Sequence, residues 1–357
     1  MSKQSIKTSV LIIFLVSGAF TLIRTGQMQT KTETAGQKFK NIKVLNEMPA
    51  DQMGKVMNLM SASLGVNCNF CHVENDFARD DNEHKQIARK MISMTFEINK
   101  NYFDNPIEVS CNTCHNGQAH PSSAPNLNPT ARDNARPKQP EVKPTVDQIL
   151  DKYAEALGGK ANLAKIKTRR IKASRIEPNG TIEPEEIWQK LPNKLLVATT
   201  YSGAVVTETF DGTNAWKRAN KDFIPLKADE TEQIRRNAEL FNFANLKEVY
   251  AKLEFASVDR IDGREVYQLR AATKSGGRER LYFDRETGLL SRRTASVPTV
   301  LGNFVYQIDY TDYKDFGGVK LPAATRFAVP NISWTQKILE VKNNAPIDDA
   351  QFNLPTK

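Results

Sequence analysis

Cysteine and histidine are scarce in this chain, whose 357 residues include only four of each. No histidine follows His120, so a Ser-His-Asp catalytic triad cannot be assembled from the longer, carboxy-terminal part. Its glycine-rich pieces, such as Ser275-Gly276-Gly277, are typical of hairpin tips rather than of phosphate-binding loops. The basic residues behind the net charge of +9 are scattered and match no nucleic-acid-binding motif, which argues against a nucleic acid as partner.

Long hydrophobic runs are absent beyond the first 30 residues. There, Lys3 and Lys7 precede an apolar stretch over residues 10–23, which is typical of a signal peptide and short for a transmembrane helix. Residues 17–19 are small but lack a clear cleavage pattern, so residues 1–30 are expected to be either a cleaved signal peptide or a retained amino-terminal anchor. No cysteine lies near the end of the stretch, which excludes a lipid-anchored lipoprotein. In both cases the body of the chain is expected in the periplasm.

All four cysteines lie in two copies of one pentapeptide, Cys68-Asn69-Phe70-Cys71-His72 and Cys111-Asn112-Thr113-Cys114-His115. The pattern Cys-x-x-Cys-His is the attachment signature of c-type haem. Two thiols at this spacing can each form a thioether to one porphyrin vinyl group, and the histidine that follows is then placed to bind the iron. The sequence therefore predicts two covalent haem c groups, held by Cys68 and Cys71 and by Cys111 and Cys114, with His72 and His115 as axial ligands.

Three other uses of the cysteines stay open at this point. Paired Cys-x-x-Cys knuckles hold structural zinc, but the 39 residues between Cys71 and Cys111 exceed the usual spacing of about 15 to 20, and zinc does not explain the two histidines. A thioredoxin-like redox disulfide needs one such pair beside a strand-helix unit, so two would be redundant. Structural disulfides are a further alternative in an exported protein.

The segment before each motif predicts a helix that carries methionines. Residues 49–63 place Met53, Met57, Met60 and Leu64 on one stripe, and a second helix over residues 82–99 does the same with Ile87, Met91, Met94 and Ile98. Methionine at helical spacing is usually core filler. Here the core is expected to be largely porphyrin, so one stripe can both pack and bind iron. His/Met ligation favours ferrous iron, because the thioether raises the reduction potential.

A proline-rich segment divides the chain. Residues 118–145 contain six prolines among serine, asparagine, alanine and charged residues, a composition typical of an exposed, semi-rigid linker. The sequence thus predicts a dihaem domain over residues 38–118, a linker over residues 119–145 and a second domain over residues 146–357. Few contacts are expected to cross such a linker, so the two domains are expected to fold separately.

The second domain begins with a predicted helix over residues 146–157 and has another over residues 231–243. Between and after them lie alternating segments predicted as strands: 170–176, 185–190, 194–201, 205–211, 214–219, 266–272, 278–284, 289–295, 305–313, 324–329 and 333–342. Asp284 to Gly288 is predicted to be a hairpin turn. The fold class expected for the whole chain is multidomain: a small, mainly α c-type dihaem domain followed by an α+β domain with a large curved antiparallel sheet.

The first domain resembles the cytochrome c subunit of photosynthetic reaction centres over about residues 39–118. The likeness is carried by Phe39 to Leu45, Met57 through Cys68, Ala88-Arg89-Lys90-Met91, Ile98-Asn99 and the second attachment motif. The resemblance implies that Met57 and Met91 are the distal iron ligands, with Met60 and Met94 one helical turn away as runners-up. That subunit typically carries four haems and this chain has two motifs, so a role in photosynthetic electron transport is in doubt. His84 and His120 are alternative ligands for a bis-histidine haem.

The second domain resembles the half-barrel fold of periplasmic lipoprotein carriers. The points of likeness are Tyr153 with Gly158-Gly159, Phe210-Asp211-Gly212, Asp309-Tyr310 with Tyr313, Val319 with Leu321-Pro322, and Ala345-Pro346-Ile347 with Phe352. The resemblance implies a docking module or a carrier of an apolar ligand, and these motifs mark a fold more than a function.

The function expected from the sequence is that of an exported dihaem c-type cytochrome that transfers electrons in the cell envelope and is not an enzyme. Its expected partners are redox proteins of the envelope, such as a membrane-bound reaction centre or a respiratory complex. One alternative is a dihaem peroxidase-type enzyme, which needs an iron with an open distal position. The other is an envelope carrier of an apolar ligand that uses the haem domain for sensing or docking.

Overall fold

The computed structural model describes residues 33–121, 139–140, 142–219, 222–239 and 246–353. The predicted leader and most of the predicted linker lie outside the described residues. The helices are α1 (Ala35–Lys38), α2 (Met53–Leu64), α3 (Glu83–Tyr102), α4 (Cys111–His115), α5 (Val146–Ala156), α6 (Lys160–Leu163), α7 (Ala228–Glu239) and α8 (Leu246–Val249). The strands are β1 (Thr168–Ile176), β2 (Ile182–Lys190), β3 (Lys194–Tyr201), β4 (Ala204–Phe210), β5 (Ala215–Ala219), β6 (Asp222–Pro225), β7 (Tyr250–Ile261), β8 (Arg264–Thr273), β9 (Arg278–Asp284), β10 (Leu290–Thr299), β11 (Gly302–Asp315), β12 (Lys320–Val329) and β13 (Ile332–Asn343).

The two long helices of the first part begin and end where their sequences indicate. A 3-10 turn over Ala50–Gln52 leads into α2, which ends at Gly65 in the left-handed conformation (φ 66°) that glycine adopts without strain. The side chain of Asn82 accepts a hydrogen bond from the His84 amide and caps α3, satisfying a donor that the helix itself cannot pair. The helices predicted over residues 49–63 and 82–99 are thus present.

All thirteen strands of the described residues form one antiparallel sheet, in the order β6-β5-β4-β3-β2-β1-β13-β12-β11-β10-β9-β8-β7. Every predicted strand segment is found, and the hairpin turn at Asp284 to Gly288 joins β9 to β10. The structure adds β6 and β7, which were not predicted and which form the two edges of the sheet. The fold class is therefore confirmed: a mainly helical amino-terminal part is followed by a large curved antiparallel sheet.

Two helices cover the sheet and build its core. Helix α5 buries Ile149, Tyr153 and Leu157 against side chains of β8 and β9. Helix α7 buries Ile234 and Ala238 against β1 to β4. The two clusters meet at half-buried side chains of β13, so they form one continuous apolar layer.

The linker contacts the edge of the sheet at one described residue. The Gln139 amide nitrogen donates to the Val258 carbonyl at 2.9 Å, and its carbonyl oxygen accepts from the Val258 amide at 2.7 Å. A side chain thus pairs with strand β7 as a neighbouring strand would.

The hairpin between β10 and β11 joins the two parts of the chain. Its tip residue Leu301 is 1% exposed and packs in the helical core with Val56, Leu59 and Ile92. Next to it, a Cβ atom added to Gly302 would lie 3.0 Å from the Ser110 Cβ. The helical part and the sheet therefore share a buried contact that no sequence pattern indicated.

Candidate haem-binding site

The first attachment motif is a tight turn fixed by side chains of the loop and helix that follow it. Cys68 to Phe70 form a 3-10 turn, and the Asn82 side chain donates to the Phe70 carbonyl at 3.0 Å. The loop then folds back, so that the His72 Nδ1 lies 3.2 Å from the Phe77 carbonyl oxygen. The imidazole is held by the protein at one of its two nitrogens.

The second attachment motif is the short helix α4. The Ser110 amide, just before it, donates to the Thr113 hydroxyl at 3.0 Å. The buried side chain of Asn99 makes two hydrogen bonds to Val109, one to its carbonyl at 2.7 Å and one from its amide at 2.8 Å. The His115 Nδ1 lies 2.9 Å from the Gln118 carbonyl oxygen. Both histidines thus use Nδ1 for the same kind of contact.

This contact prepares each imidazole to bind a metal. When Nδ1 carries the proton that the carbonyl accepts, the Nε2 lone pair is free, and a hydrogen bond of this kind fixes the ring orientation of metal-binding histidines. Burial lowers the pKa of His72, which favours the neutral imidazole. Neutral imidazole is the form that binds iron.

The four thiols are free. Cys68 and Cys114 are exposed, whereas Cys71 and Cys111 are half-buried, and burial raises the pKa of both of these thiols. Within the described part of the chain, no group of three or more His, Cys, Asp or Glu side chains lies together as a metal site. Each motif therefore offers two unpaired thiols beside one oriented imidazole.

The predicted methionine stripes do not form the protein core. In α3 the buried residues are Lys85, Ile92, Thr95 and Asn99, whereas the stripe of Ile87, Met91 and Met94 is 50, 38 and 41% exposed. In α2 the buried apolar residues are Val56 and Leu59, and Met57 and Met60 lie half-buried at the edge of that core. Apolar side chains on an exposed helix face indicate a surface that another group covers.

The two motifs are neighbours in space. The amide of Gly117, just after the second motif, donates to the Ser63 carbonyl of α2 at 2.8 Å. A Cβ atom added to Gly65, just before the first motif, would lie 2.1 Å from the Gly117 carbonyl oxygen, so glycine is needed there. The residues present fit two haem c groups: two thiol pairs, two imidazoles held at Nδ1 and uncovered methionine-bearing faces.

A cluster of charges beside the first motif was missed from the sequence. Asp80 forms ion pairs at 2.7 Å with Lys43 and with Arg89, and at 3.4 Å with Lys85. Hydrogen bonds from Arg89 and Lys43 hold the pKa of the Asp80 carboxyl far below its usual range. The sequence offered one signal: Lys85 lies on the same face of α3 as the buried Ile92. A lysine is rarely buried without a polar partner, so a charged partner such as Asp80 was to be expected.

Among the described residues, neither of the two remaining histidines shows the contact between Nδ1 and a backbone carbonyl that is present at the motifs. The His84 ring packs on Phe70 with 4.1 Å between ring centroids, and His120 is exposed. His84 therefore supports the first motif by ring contact.

Comparison with known proteins shows which family the helical part is similar to. Residues 5–151 match the model described as photosynthetic reaction centre cytochrome C subunit. The chain is 33% identical over 100 residues to the photosynthetic reaction center cytochrome c subunit of Roseobacter denitrificans, covering 25% of this chain and 27% of that protein. It is 32% identical over 115 residues to cytochrome c-554 of Chloroflexus aurantiacus, covering 30% of this chain and 26% of that protein. The chain thus spans about a quarter of the length of these curated relatives.

The sheet is similar to solved structures at low sequence identity. One is a DUF1329 family protein from Desulfovibrio piger (12% identity, TM-score 0.43, 59% of this chain and 98% of that one). Another is a LolA superfamily protein from Nitrosomonas europaea (13% identity, TM-score 0.41, 59% and 99%). Both TM-scores are too low to support any conclusion about a ligand. In the helical part, residues 5–151 are similar to the photosynthetic reaction centre cytochrome c subunit family, which confirms the resemblance seen in the sequence.

Proposed function

We propose that this protein is a dihaem c-type cytochrome that carries electrons in the cell envelope. One observation supports it above the others: at both Cys-x-x-Cys-His motifs the histidine Nδ1 is held by a backbone carbonyl, which leaves Nε2 for iron. Haem c, when bound, supplies an iron that accepts and releases one electron. A segment of the same family in curated cytochromes supports the electron-carrier function.

Each residue of the proposed site has one task. Cys68, Cys71, Cys111 and Cys114 attach the two porphyrins through thioethers, which fixes their position on the protein. His72 and His115 would bind the irons through Nε2. The methionine-bearing faces of α2 and α3 would cover the porphyrins and exclude water, which would keep the surroundings apolar.

Met57 and Met91 are the proposed distal ligands. Each lies on the helix that precedes one motif, and neither is fully buried, so the thioethers are free to bind. Met60 and Met94 lie one helical turn further along and remain the alternatives. A filled distal position suits electron transfer, since no coordination site is left open for a substrate.

We further propose that residues 1–30 direct the chain to the periplasm, either as a cleaved signal peptide or as a retained anchor. These residues lie outside the described part, in which no helix is long and apolar enough to cross a membrane. The proposed divisions are a dihaem domain at 38–118, a linker at 119–145 and a half-barrel domain at 146–357. The proposed partners are envelope redox proteins, such as a membrane-bound reaction centre or a respiratory complex.

The sheet domain favours a docking function over the carrying of an apolar ligand. Arg236 of α7, Arg293 and Glu279 are at most 5% exposed, and both arginines form ion pairs with Glu279. A buried charge is costly unless it is paired. These three charged side chains make the part of the interior around them unfavourable for an apolar ligand.

Mass spectrometry and haem spectroscopy of the exported, full-length protein test the proposal. We expect the mass of the chain plus two haem groups, two haems by pyridine haemochrome, and one haem after Cys111 and Cys114 are both changed to Ser. An apo mass or stoichiometric zinc would overturn the proposal. Carbon monoxide binding by the ferrous wild-type protein would favour the peroxidase-type alternative, because carbon monoxide binds to an iron whose distal position is open.

A further inference from the structure

The Phe77 carbonyl oxygen accepts two hydrogen bonds. One comes from the His72 Nδ1 at 3.2 Å, and the other comes from the Lys85 ammonium at 2.9 Å. The loop after the first motif thus places one oxygen atom between a proposed iron ligand and a lysine of α3. A charge-assisted hydrogen bond is stronger than a neutral one, so the lysine contact fixes this carbonyl firmly.

Lys85 is held in place on several sides. Its side chain is 11% exposed, and its ammonium also donates to the Arg79 carbonyl and pairs with Asp80 at 3.4 Å. Removing an ammonium from water costs several kcal/mol unless it is paired and hydrogen-bonded. A lysine that served only packing would extend its ammonium into solvent.

Lys85 belongs to a cluster in which three cations share one carboxylate. Lys43, Lys85 and Arg89 all pair with the single carboxylate of Asp80. Hydrogen bonds from Arg89 and Lys43 keep that carboxyl ionised, since they depress its pKa. Of these cations, Lys85 and Arg89 are close enough to act electrostatically on His72.

The second motif lacks this arrangement. The His115 Nδ1 contacts the Gln118 carbonyl at 2.9 Å, and no lysine or arginine among the described residues donates to that oxygen. The two motifs thus share the imidazole–carbonyl contact and differ in the lysine behind it.

We propose that Lys85 is a positioning residue that acts on His72 through the Phe77 carbonyl and raises the reduction potential at the first motif above the value that its ligands alone would give. Lys85 polarises the carbonyl and weakens its pull on the imidazole proton, so His72 donates less electron density to iron. Its charge also disfavours the extra positive charge of the ferric state. Both effects favour the ferrous state, and the inference rests on the proposed haem attachment.

The size of the effect follows from the charge. Two unit charges roughly 10 Å apart in a medium of effective dielectric constant ~20 shift an equilibrium by roughly tenfold. We therefore expect Lys85→Met to lower the equilibrium constant for reduction at the first motif about tenfold, which is 59 mV for one electron.

The test is a redox titration of the full-length, haem-loaded protein with each motif assigned. A variant with Ser at positions 111 and 114 keeps the first haem alone and identifies its potential. Lys85→Met should lower the reduction potential at the first motif, and Lys85→Arg should leave it close to the wild-type value. Neither variant should change the reduction potential at the second motif. Lys90→Met is the matched control, because Lys90 is exposed on the same helix and forms no ion pair with a described residue.

The outcomes are distinct. If Lys85→Met leaves the reduction potential at the first motif unchanged, or shifts the potentials at both motifs equally, the proposal for Lys85 is overturned. In that case, a mass that shows two haems still supports the proposed function. An apo mass of the wild-type chain would instead overturn the proposed function. If Lys85→Met fails to load haem, Lys85→Gln removes the charge while its neutral amide can still donate to the carbonyl. The first potential should then fall by a smaller amount, and an unchanged value overturns the proposal.

Discussion

The helical part and the sheet part of this protein differ in where the side chains of their apolar cores come from. The helical core has seven buried apolar side chains, and one of them, Leu301, comes from the sheet. The sheet has two cores of its own, one with sixteen and one with seven buried apolar side chains, and it buries charged side chains in pairs. At the same time the helical part leaves the apolar face of α3 exposed. The helical part therefore completes its core with a side chain from the sheet hairpin, whereas the two cores of the sheet are built from residues 142–353 alone.

Loss of haem attachment should separate the two parts most strongly. With Ser at positions 68, 71, 111 and 114, we expect residues 33–121 to lose their protection from proteolysis, because the exposed face of α3 has nothing to cover it. Residues 142–353 should keep theirs. Limited proteolysis with mass spectrometry measures both, and equal protection of the helical part with and without haem would contradict the comparison.

The hairpin tip should have the next largest effect. Leu301→Ala removes a fully buried side chain from the helical core, which typically costs about 2 to 5 kcal/mol. We expect the free energy of unfolding of the helical part to fall by this amount, which can be measured by monitoring haem absorbance during denaturant unfolding. Val305→Ala, 38% exposed on the same strand, is the control and should change stability by no more than about 0.5 kcal/mol. Equal effects of the two variants would mean that the hairpin contact contributes nothing.

The distal methionines should affect one site each. Met57→Ala and Met91→Ala should leave both haems attached, lower the potential of one of them and allow that iron to bind exogenous ligands, because a thioether favours ferrous iron. Absorbance with added cyanide or carbon monoxide measures the open position. Unchanged spectra in both variants, with changes in Met60→Ala and Met94→Ala, would move the assignment by one helical turn.

The smallest expected effect lies in the sheet. Burial raises the pKa of Glu185, whose carboxylate accepts hydrogen bonds from Gln336 and Thr199. A carboxyl with a raised pKa stabilises the fold below its unfolded pKa and loses that contribution as the pH rises through its folded value. At a pH above neutral, Glu185→Gln should therefore give a slightly higher melting temperature than the wild-type protein. Near pH 4 the two melting temperatures should become equal. A pH-independent difference would show that ionisation of Glu185 has no part in stability.

The sequence predicted the parts of the fold that depend on local pattern. Alternating residues marked most strands, and the glycine after α2 marked its end. Strand β7 was missed although its residues 250–261 alternate in part, because a bulge shifts its register at two places. The short β6 offered too few residues to show a period.

The candidate site was predictable only where a motif carried it. Cysteine and histidine spacing gave both attachment motifs. Lys85 and the Phe77 carbonyl could not be predicted as partners of His72, because a backbone oxygen has no sequence signature and the loop conformation brings it there. The packing of Leu301 against α2 joins residues more than 200 positions apart, a distance over which no periodic pattern extends.

The paired hydrogen bonds between Gln139 and Val258 have a consequence for how the protein behaves among its copies. Strand β7 is a long edge strand, and unpaired amide and carbonyl groups on such an edge invite strand addition by another molecule and aggregation. The glutamine amide occupies both groups of Val258 in the middle of this edge. Strand addition at Val258 is thus blocked by a single side chain rather than by a further strand.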